Sequence, residues 1–189
     1  LLKNFSGTVL ILCGDVPLVR KETILDFIRH FRDRNSTLSV MTVVLQNPFG
    51  YGRILREEGG WIRKIVEEKD AGEEEKAIPE INTGIYCAEG RFLAESLKEI
   101  GKENAQGEYY LTDLIEIANR KGGRCSAYPV SSPLEVMGIN TRVDLARAQE
   151  ALRQEKARAM MLSGVTLIDP STTYIDQTVE IGKDTVIYP

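Results

Sequence analysis

Histidine is almost absent from this 189-residue sequence, the one example being His30. With a single imidazole, neither a Ser-His-Asp relay nor a histidine-based metal site is expected. Any catalysis must then rest on carboxylates, amides, backbone groups and a metal. His30 itself, beside the apolar stripe of a helix, is expected on a solvated face. Cysteines are few: Cys13, Cys87 and Cys125 are odd in number and have no CxxC spacing. That argues against a disulfide framework and for a reduced, cytoplasmic setting. Cys13 and Cys87 lie in apolar strand patterns and read as buried small hydrophobes. Excess positive charge is also missing. A net charge of -4 lacks the concentrated field that nucleic acid or a membrane surface requires, so neither is an expected partner. No apolar run is long enough to span a bilayer, and no signal-peptide pattern appears. What remains, 42% hydrophobic and 28% charged residues, suits a soluble chain with one sizeable core.

The chain opens at Leu1, not Met, and LLKNFSGTVLIL reads as a helix tail, a turn at Ser6–Gly7 and a strand. It closes on DTVIYP inside a repeating pattern, so both ends are expected to be cuts. Thr8–Cys13 and Leu38–Leu45 are continuous apolar runs, as in strands covered on both faces. Between them Ile24, Phe27, Ile28 and Phe31 form one helical stripe, giving a βαβ unit. Gly52–Arg56 and Trp61–Val66, joined by EEGG, predict a hairpin. Lys69–Glu80 reads as an exposed loop, with Glu68, Lys69 and Asp70 solvated. Ile81–Cys87 and Cys125–Val130 are further strands, and Phe92–Ile100 and Leu111–Lys121 are helices. Thr141 with Asp144 resembles a capping box opening a long charged helix that Gly164 ends. Leu145, Leu152 and Ala159 recur along it every seven residues, and it reads as a connector between two bodies. Ile175, Ile181 and Ile187 are six apart, either the period of a parallel β-helix or two ordinary short strands.

Asp15, in GDVP, follows the end of a predicted strand, where ligands bind in open α/β sheets. Gly14 permits close backbone approach there. A carboxylate at that place is either an Mg2+ ligand, the remaining ligands being phosphate oxygens and water, or the cap of the next turn. The loop FGYGR presents backbone N–H groups around Gly52 or simply turns into the hairpin. Glu67 ends a hairpin strand and suits sugar hydroxyls. The Asn82 amide suits a sugar or phosphate contact, or turn chemistry. Thr112 and Asp113 read as substrate-facing or as helix caps, Tyr109 and Tyr110 as core or as binding surface. Asn140, just before the long helix, is an oxygen ligand or a flanking residue.

In order, GDVPL, NPFGYGRI, IVEEKDA, EINTGIY, NAQGEYYLTD and GIN, then a helix and a hexapeptide pattern, resemble one family. It is the bacterial bifunctional N-acetylglucosamine-1-phosphate uridylyltransferase / glucosamine-1-phosphate N-acetyltransferase. The resemblance runs from about residue 8 to the end. It implies an α/β, Rossmann-like nucleotidyltransferase domain of the nucleotide-diphospho-sugar transferase type over 1–140, a connector helix over 141–164, and the start of a left-handed parallel β-helix over 165–189. It implies that UTP and N-acetylglucosamine 1-phosphate become UDP-N-acetylglucosamine and pyrophosphate. It implies that Asp15 and Asn140 bind the cofactor Mg2+, that Gly14 and Gly52 meet substrate through backbone, that Glu67, Asn82 and Asn140 hold the nucleotide sugar, and that Tyr110 and Thr112 line the cleft. Acetyl-CoA belongs to a C-terminal domain beyond this sequence, and the whole protein is expected to be a homotrimer. One feature departs from the family: its glycine-rich LxAGxGTxM signature matches nothing here. A chain lacking that phosphate-holding loop is expected to be less stable and inactive alone. Two readings therefore stand beside the enzyme: a non-catalytic sugar-nucleotide-binding fragment, and a sugar-1-phosphate nucleotidylyltransferase of other base or sugar.

Overall fold

The computed structural model describes residues 5–189; the helix tail expected at the start of the chain lies outside them. The chain divides into two units, 1–137 and 138–189.

The first unit opens with β1 (Thr8–Ile11), α1 (Lys21–Asp33) and β2 (Leu38–Val44). Phe27 and Phe31 from the predicted stripe are buried, with Ile24 and Ile28 half-buried beside them. The hairpin is β3 (Arg53–Arg56) and β4 (Ile62–Val66), and Gly59 and Gly60 turn it at φ +85° and +81°. Then follow α2 (Glu73–Lys76), β5 (Glu80–Glu89), α3 (Gly90–Ser96), α4 (Asp113–Arg120), β6 (Cys125–Val130) and a 3₁₀ turn at Pro133–Val136. The sheet runs β4-β3-β5-β2-β6, with β1 also paired to β5.

β5 is antiparallel to β1, β2 and β3, whereas β2 and β6 are parallel. The expected βαβ unit is therefore present with a reversed strand between its two strands. β2 is buried over its first six residues, as predicted, because β5 and β6 flank it and both faces are covered. β1 departs from expectation. It is only half-buried, ends at Ile11, and pairs with β5 alone among the described residues. The segment 69–80 also departs: it folds into α2, buries Ala71 against Leu55 and Val66, and ends in a paired Glu80. Glu80 accepts from Arg56 Nε at 2.8 Å, Arg56 Nη2 at 2.6 Å and Thr42 Oγ1 at 2.7 Å, tying the hairpin to the central strands. His30 is not on a solvated face. Its ring lies 5.4 Å from that of Tyr128, and its buried Nε2 has no partner among the described residues. Burial lowers its pKa. The cysteines are free thiols; Cys87 and Cys125 are fully buried, and burial raises them to about 11 and about 12.

β5 bulges where it passes β2. The register jumps from Val40 opposite Tyr86 to Thr42 opposite Asn82, so Thr83, Gly84 and Ile85 face Met41 alone. Asn82 Oδ1 accepts from the Gly84 N–H at 2.9 Å and Thr83 Oγ1 donates to the Met41 carbonyl at 2.7 Å. Gly84 sits at φ +79°, and a Cβ there would lie 2.6 Å from Cys13 Sγ.

In the second unit α5 (Arg142–Leu162) begins in the predicted capping box: Thr141 Oγ1 accepts from Asp144 N–H, and Asp144 Oδ2 accepts from Thr141 N–H. It ends at Gly164, φ +96°, where Val165 N–H reaches the Met160 carbonyl and Gly164 N–H the Met161 carbonyl. The seven-residue stripe is not the packed face, since Leu145, Leu152 and Ala159 are all exposed. Ala157 and Met160 pack instead against Val165, Leu167, Ile175, Ile181 and Ile187. Lys156, buried, donates to the carbonyls of Gln177 at 2.9 Å and Val179 at 2.7 Å. β7 (Thr166–Leu167) and β8 (Val186–Ile187) pair in parallel. No helix among the described residues is long and apolar enough to cross a membrane.

Gly84→Ala should lower the urea-unfolding free energy by roughly 2–5 kcal/mol, from a left-handed φ plus a clash. Adding Cys13→Ala should recover the clash and leave the φ cost, so the pair must be non-additive. Strict additivity in a double-mutant cycle would show that the two positions do not meet.

Candidate active site

The reversed direction of β5 decides where the site forms. Its first residues lie at the carboxyl ends of β1 and β2, beside the start of β3 and the end of β4. Gly52 precedes β3, Glu67 follows β4 and Asn82 is the third residue of β5. The Asn82 N–H donates to the Gly52 carbonyl at 2.8 Å. A Cβ on Gly52 would lie 3.0 Å from Ile65 Cγ2 and 3.1 and 3.2 Å from the two Glu67 carboxylate oxygens, so only glycine leaves that carboxylate undisturbed. Thr112, buried at the start of α4, makes no side-chain cap; its hydroxyl donates to Glu67. Burial raises the Glu67 pKa above the ordinary carboxyl range against the lowering effect of Thr112, with Asp70 and Asp113 adding to the rise. Glu67, Tyr110 and Thr112 line a cleft of about 230 Å³. Tyr109 points elsewhere: it is exposed, with Lys102 Nζ 4.6 Å from its ring centre.

Asp15 lies in the turn after β1, exposed, and its carboxylate accepts no hydrogen bond from another described residue. The cap reading thus has no donor behind it. A Cβ on Gly14 would meet nothing within 4 Å, so the space before the backbone there is open. Asn140 belongs to the second unit, where its N–H donates to Asp144 at the start of α5. The structure therefore gathers Gly52, Glu67, Asn82, Tyr110 and Thr112 at one sheet end, leaves Gly14 and Asp15 accessible beyond β1, and carries Asn140 on the other unit.

Sequence reasoning missed the residues that build this site's frame. Arg53 is fully buried, donating Nη2 to Glu68 Oε2 at 2.6 Å and Nη1 to the Tyr51 carbonyl. Glu68, Lys69 and Asp70 are each hydrogen-bonded to a distant partner, Glu68 half-buried and Lys69 and Asp70 exposed as expected. The Arg53 guanidinium and the Gly50 N–H hold the Glu68 carboxyl below its ordinary range. Their partners are 15 to 37 residues away, beyond any local pattern. Tyr86 is also buried, its hydroxyl close to Asn82 but in no well-formed hydrogen bond.

A mixed sheet flanked by helices, with a polar site beyond strand ends, defines a Rossmann-like α/β transferase fold. The chain belongs to the nucleotidyl transferase family, whose profile, described as "Nucleotidyl transferase", matches residues 1–132. It is 55% identical over 188 residues to the "Bifunctional protein GlmU" of Geobacter sulfurreducens, covering 100% of this chain and 40% of that protein. The protein of the same name in Acetivibrio thermocellus is 51% identical, with 100% and 41% covered. The chain thus spans about two fifths of the length of the curated relatives it matches. Among solved structures, a CMP:2-keto-3-deoxy-manno-octonic acid synthetase complexed with CTP shares the fold at TM-score 0.55 and 14% identity, covering 81% of this chain and 64% of that one.

The raised Glu67 carboxyl gives a signed expectation. Between the unfolded value, about 4.3, and the higher folded value, the folded state holds more proton, so stability falls as pH rises through that window. Glu67→Gln removes this loss. The thermal midpoint of the variant relative to the parent should rise from pH 4 upward and level off above the folded pKa. A difference that stays constant with pH would mean the carboxylate is not desolvated.

Proposed function

We propose that the protein carrying this chain transfers uridylyl from UTP to N-acetylglucosamine 1-phosphate, giving UDP-N-acetylglucosamine and pyrophosphate. The observation that carries this reading is the convergence of Gly52, Glu67, Asn82 and Thr112 beside a cleft at the carboxyl ends of the strands. The family match and the bifunctional name of the relatives support it.

The chemistry suits a chain with no nucleophilic triad. A phosphate oxygen of the sugar phosphate bonds to the α-phosphorus of UTP as the bond to the pyrophosphate oxygen breaks, in line. No covalent enzyme intermediate is required, so the protein's task is positioning and charge neutralisation. Positioning of this kind supplies about 7–11 kcal/mol of a barrier. Glu67 accepts from sugar hydroxyls, Asn82 offers its side-chain amide, and Gly52 lets the sugar approach the backbone. Tyr110 and Thr112 close the cleft, Thr112 by holding Glu67.

Asp15 and Asn140 are the proposed Mg2+ ligands, and Asn140 is assigned by the motif match. Among the described residues no three His, Cys, Asp or Glu side chains gather as a metal site. An exposed carboxylate that accepts no hydrogen bond from the described residues fits a cation that keeps phosphate and water oxygens as its other ligands. When bound, Mg2+ would neutralise charge on the phosphates, a contribution of several kcal/mol. By the same reading 165–189 begins a left-handed β-helix, supported by the parallel β7–β8 pairing and the inward Ile175, Ile181 and Ile187. Acetylation of glucosamine 1-phosphate from acetyl-CoA and trimer assembly would belong to the rest of that domain. Free buried thiols agree with a cytoplasmic location.

Pyrophosphate release by the full-length protein tests the reading. It should require UTP, N-acetylglucosamine 1-phosphate and Mg2+, stop on chelation, and fall about a hundredfold or more in Asp15→Asn. Equal release by that variant would remove Asp15 from the site. No release at all would leave a non-catalytic binder, and faster release with another sugar phosphate or nucleotide would reassign the substrates.

A further inference from the structure

Three charged residues follow Glu67, and each has a partner far away in sequence. Glu68 Oε2 accepts from the Gly50 N–H at 3.0 Å and from Arg53 Nη2 at 2.6 Å. Lys69 Nζ donates to Gln106 Oε1 at 2.6 Å, and Gln106 Nε2 donates onward to the Tyr110 hydroxyl at 2.7 Å. Asp70 Oδ1 accepts from the Ala105 N–H at 2.8 Å. The first partner set is the loop 49–53, which brings Gly52 against Glu67. The second is the loop 104–112, which brings Tyr110 to the cleft and Thr112 to Glu67. One tripeptide thus holds both loops that border the same carboxylate.

The bonds differ in kind. Lys69 to Gln106 joins two flexible, exposed side chains and fixes little by itself. Asp70 to Ala105 joins a short side chain to main chain, so it fixes the backbone of the second loop. That loop is stiffened from within, because Asn104 Oδ1 accepts from the Gln106 and Glu108 N–H groups at 3.1 and 3.2 Å. It therefore moves as one piece, and its height over Glu67 is set by the Asp70 contact. On the other side the loop 49–53 is folded around the buried Arg53 guanidinium, so its position follows Glu68.

We infer that Glu68, Lys69 and Asp70 form a latch that sets the spacing of the two loops around Glu67, and that Asp70 is a positioning residue for the sugar phosphate, acting through Ala105. The inference rests on the proposed function for the identity of the ligand. The latch governs the sugar end of the site, so its loss acts on the sugar phosphate and spares the nucleoside triphosphate.

Asp70→Ala and Asp70→Asn in the full-length protein separate this from a general loss of stability. The N–H of Ala105 needs an acceptor, which Asn supplies and Ala does not. Asp70→Ala should raise KM for N-acetylglucosamine 1-phosphate about tenfold, the loss of one hydrogen bond, with KM for UTP within about twofold. Asp70→Asn should recover most of the sugar-phosphate KM. Hydrogen exchange across 104–110 should speed up in the Ala variant and slow again in the Asn variant. An unchanged sugar-phosphate KM in the Ala variant, equal rises in both KM values, or an Asn variant as impaired as Ala would each overturn the latch. An inactive wild type would instead overturn the proposed function, and the inference with it.

Discussion

The constraint on which the rest depends is a strand that runs backwards through the sheet. β5 is paired along one edge with β2 and along the other with β3 at its start and β1 at its end. Its reversed direction carries its first residues to the carboxyl ends of the parallel strands. Asn82 is thereby delivered to the end of the sheet where β1 releases Asp15 and β4 releases Glu67. The bulge at Thr83–Ile85 is local to the same place. It turns the Asn82 side chain back onto the Gly84 N–H and demands a glycine where Cys13 crosses. Asn82 therefore has a structural duty as well as the sugar contact proposed for it.

Charge is the second organising factor. Among the described residues the cleft beside Glu67 is lined by Asp70, Glu75, Glu103, Asp113 and Glu116 against one cation, Lys64. Burial and the neighbouring carboxylates raise both Glu67 and Asp113. A phosphate pushed into that wall would meet a negative field at short range in a partly desolvated setting, where such repulsion is strong. Neutral hydroxyls meet acceptors instead. Under the proposed function the wall thus orders the substrate: the sugar ring faces the cleft and the phosphate points away from it. The buried Arg53 fits the same logic. Its charge is compensated by Glu68, and among the described residues Glu67 makes no direct salt bridge.

How far the sequence carried is clearest residue by residue. Periodicity found α1, β2, the hairpin, α4, β6 and the capping box of α5, because each is decided by neighbours within a few positions. It misjudged β1, because an apolar run looks the same whether one or both edges are paired. It did not reveal the packed face of α5: the conspicuous heptad of Leu145 and Leu152 is exposed, whereas the residues that pack, Ala157 and Met160, follow the position of the later coil. In the site, Glu67, Asn82, Gly52 and Thr112 were legible only through their motifs. Nothing local distinguishes Glu67 from Glu68 beside it.

Glu68, Lys69 and Asp70 show why the remainder was hidden. A run of three charges after an apolar strand has the composition of a solvated turn, and composition is all a local reading has. Whether such charges also gain fixed partners depends on what chain returns to meet them. Here two loops return, one ending in a buried guanidinium and one offering a main-chain N–H. A carboxylate facing a buried arginine loses water and gains a fixed partner; the same carboxylate facing solvent has neither. The distinction lies wholly in tertiary placement. That is why the frame of the site emerges only once β5 has set which loops lie side by side.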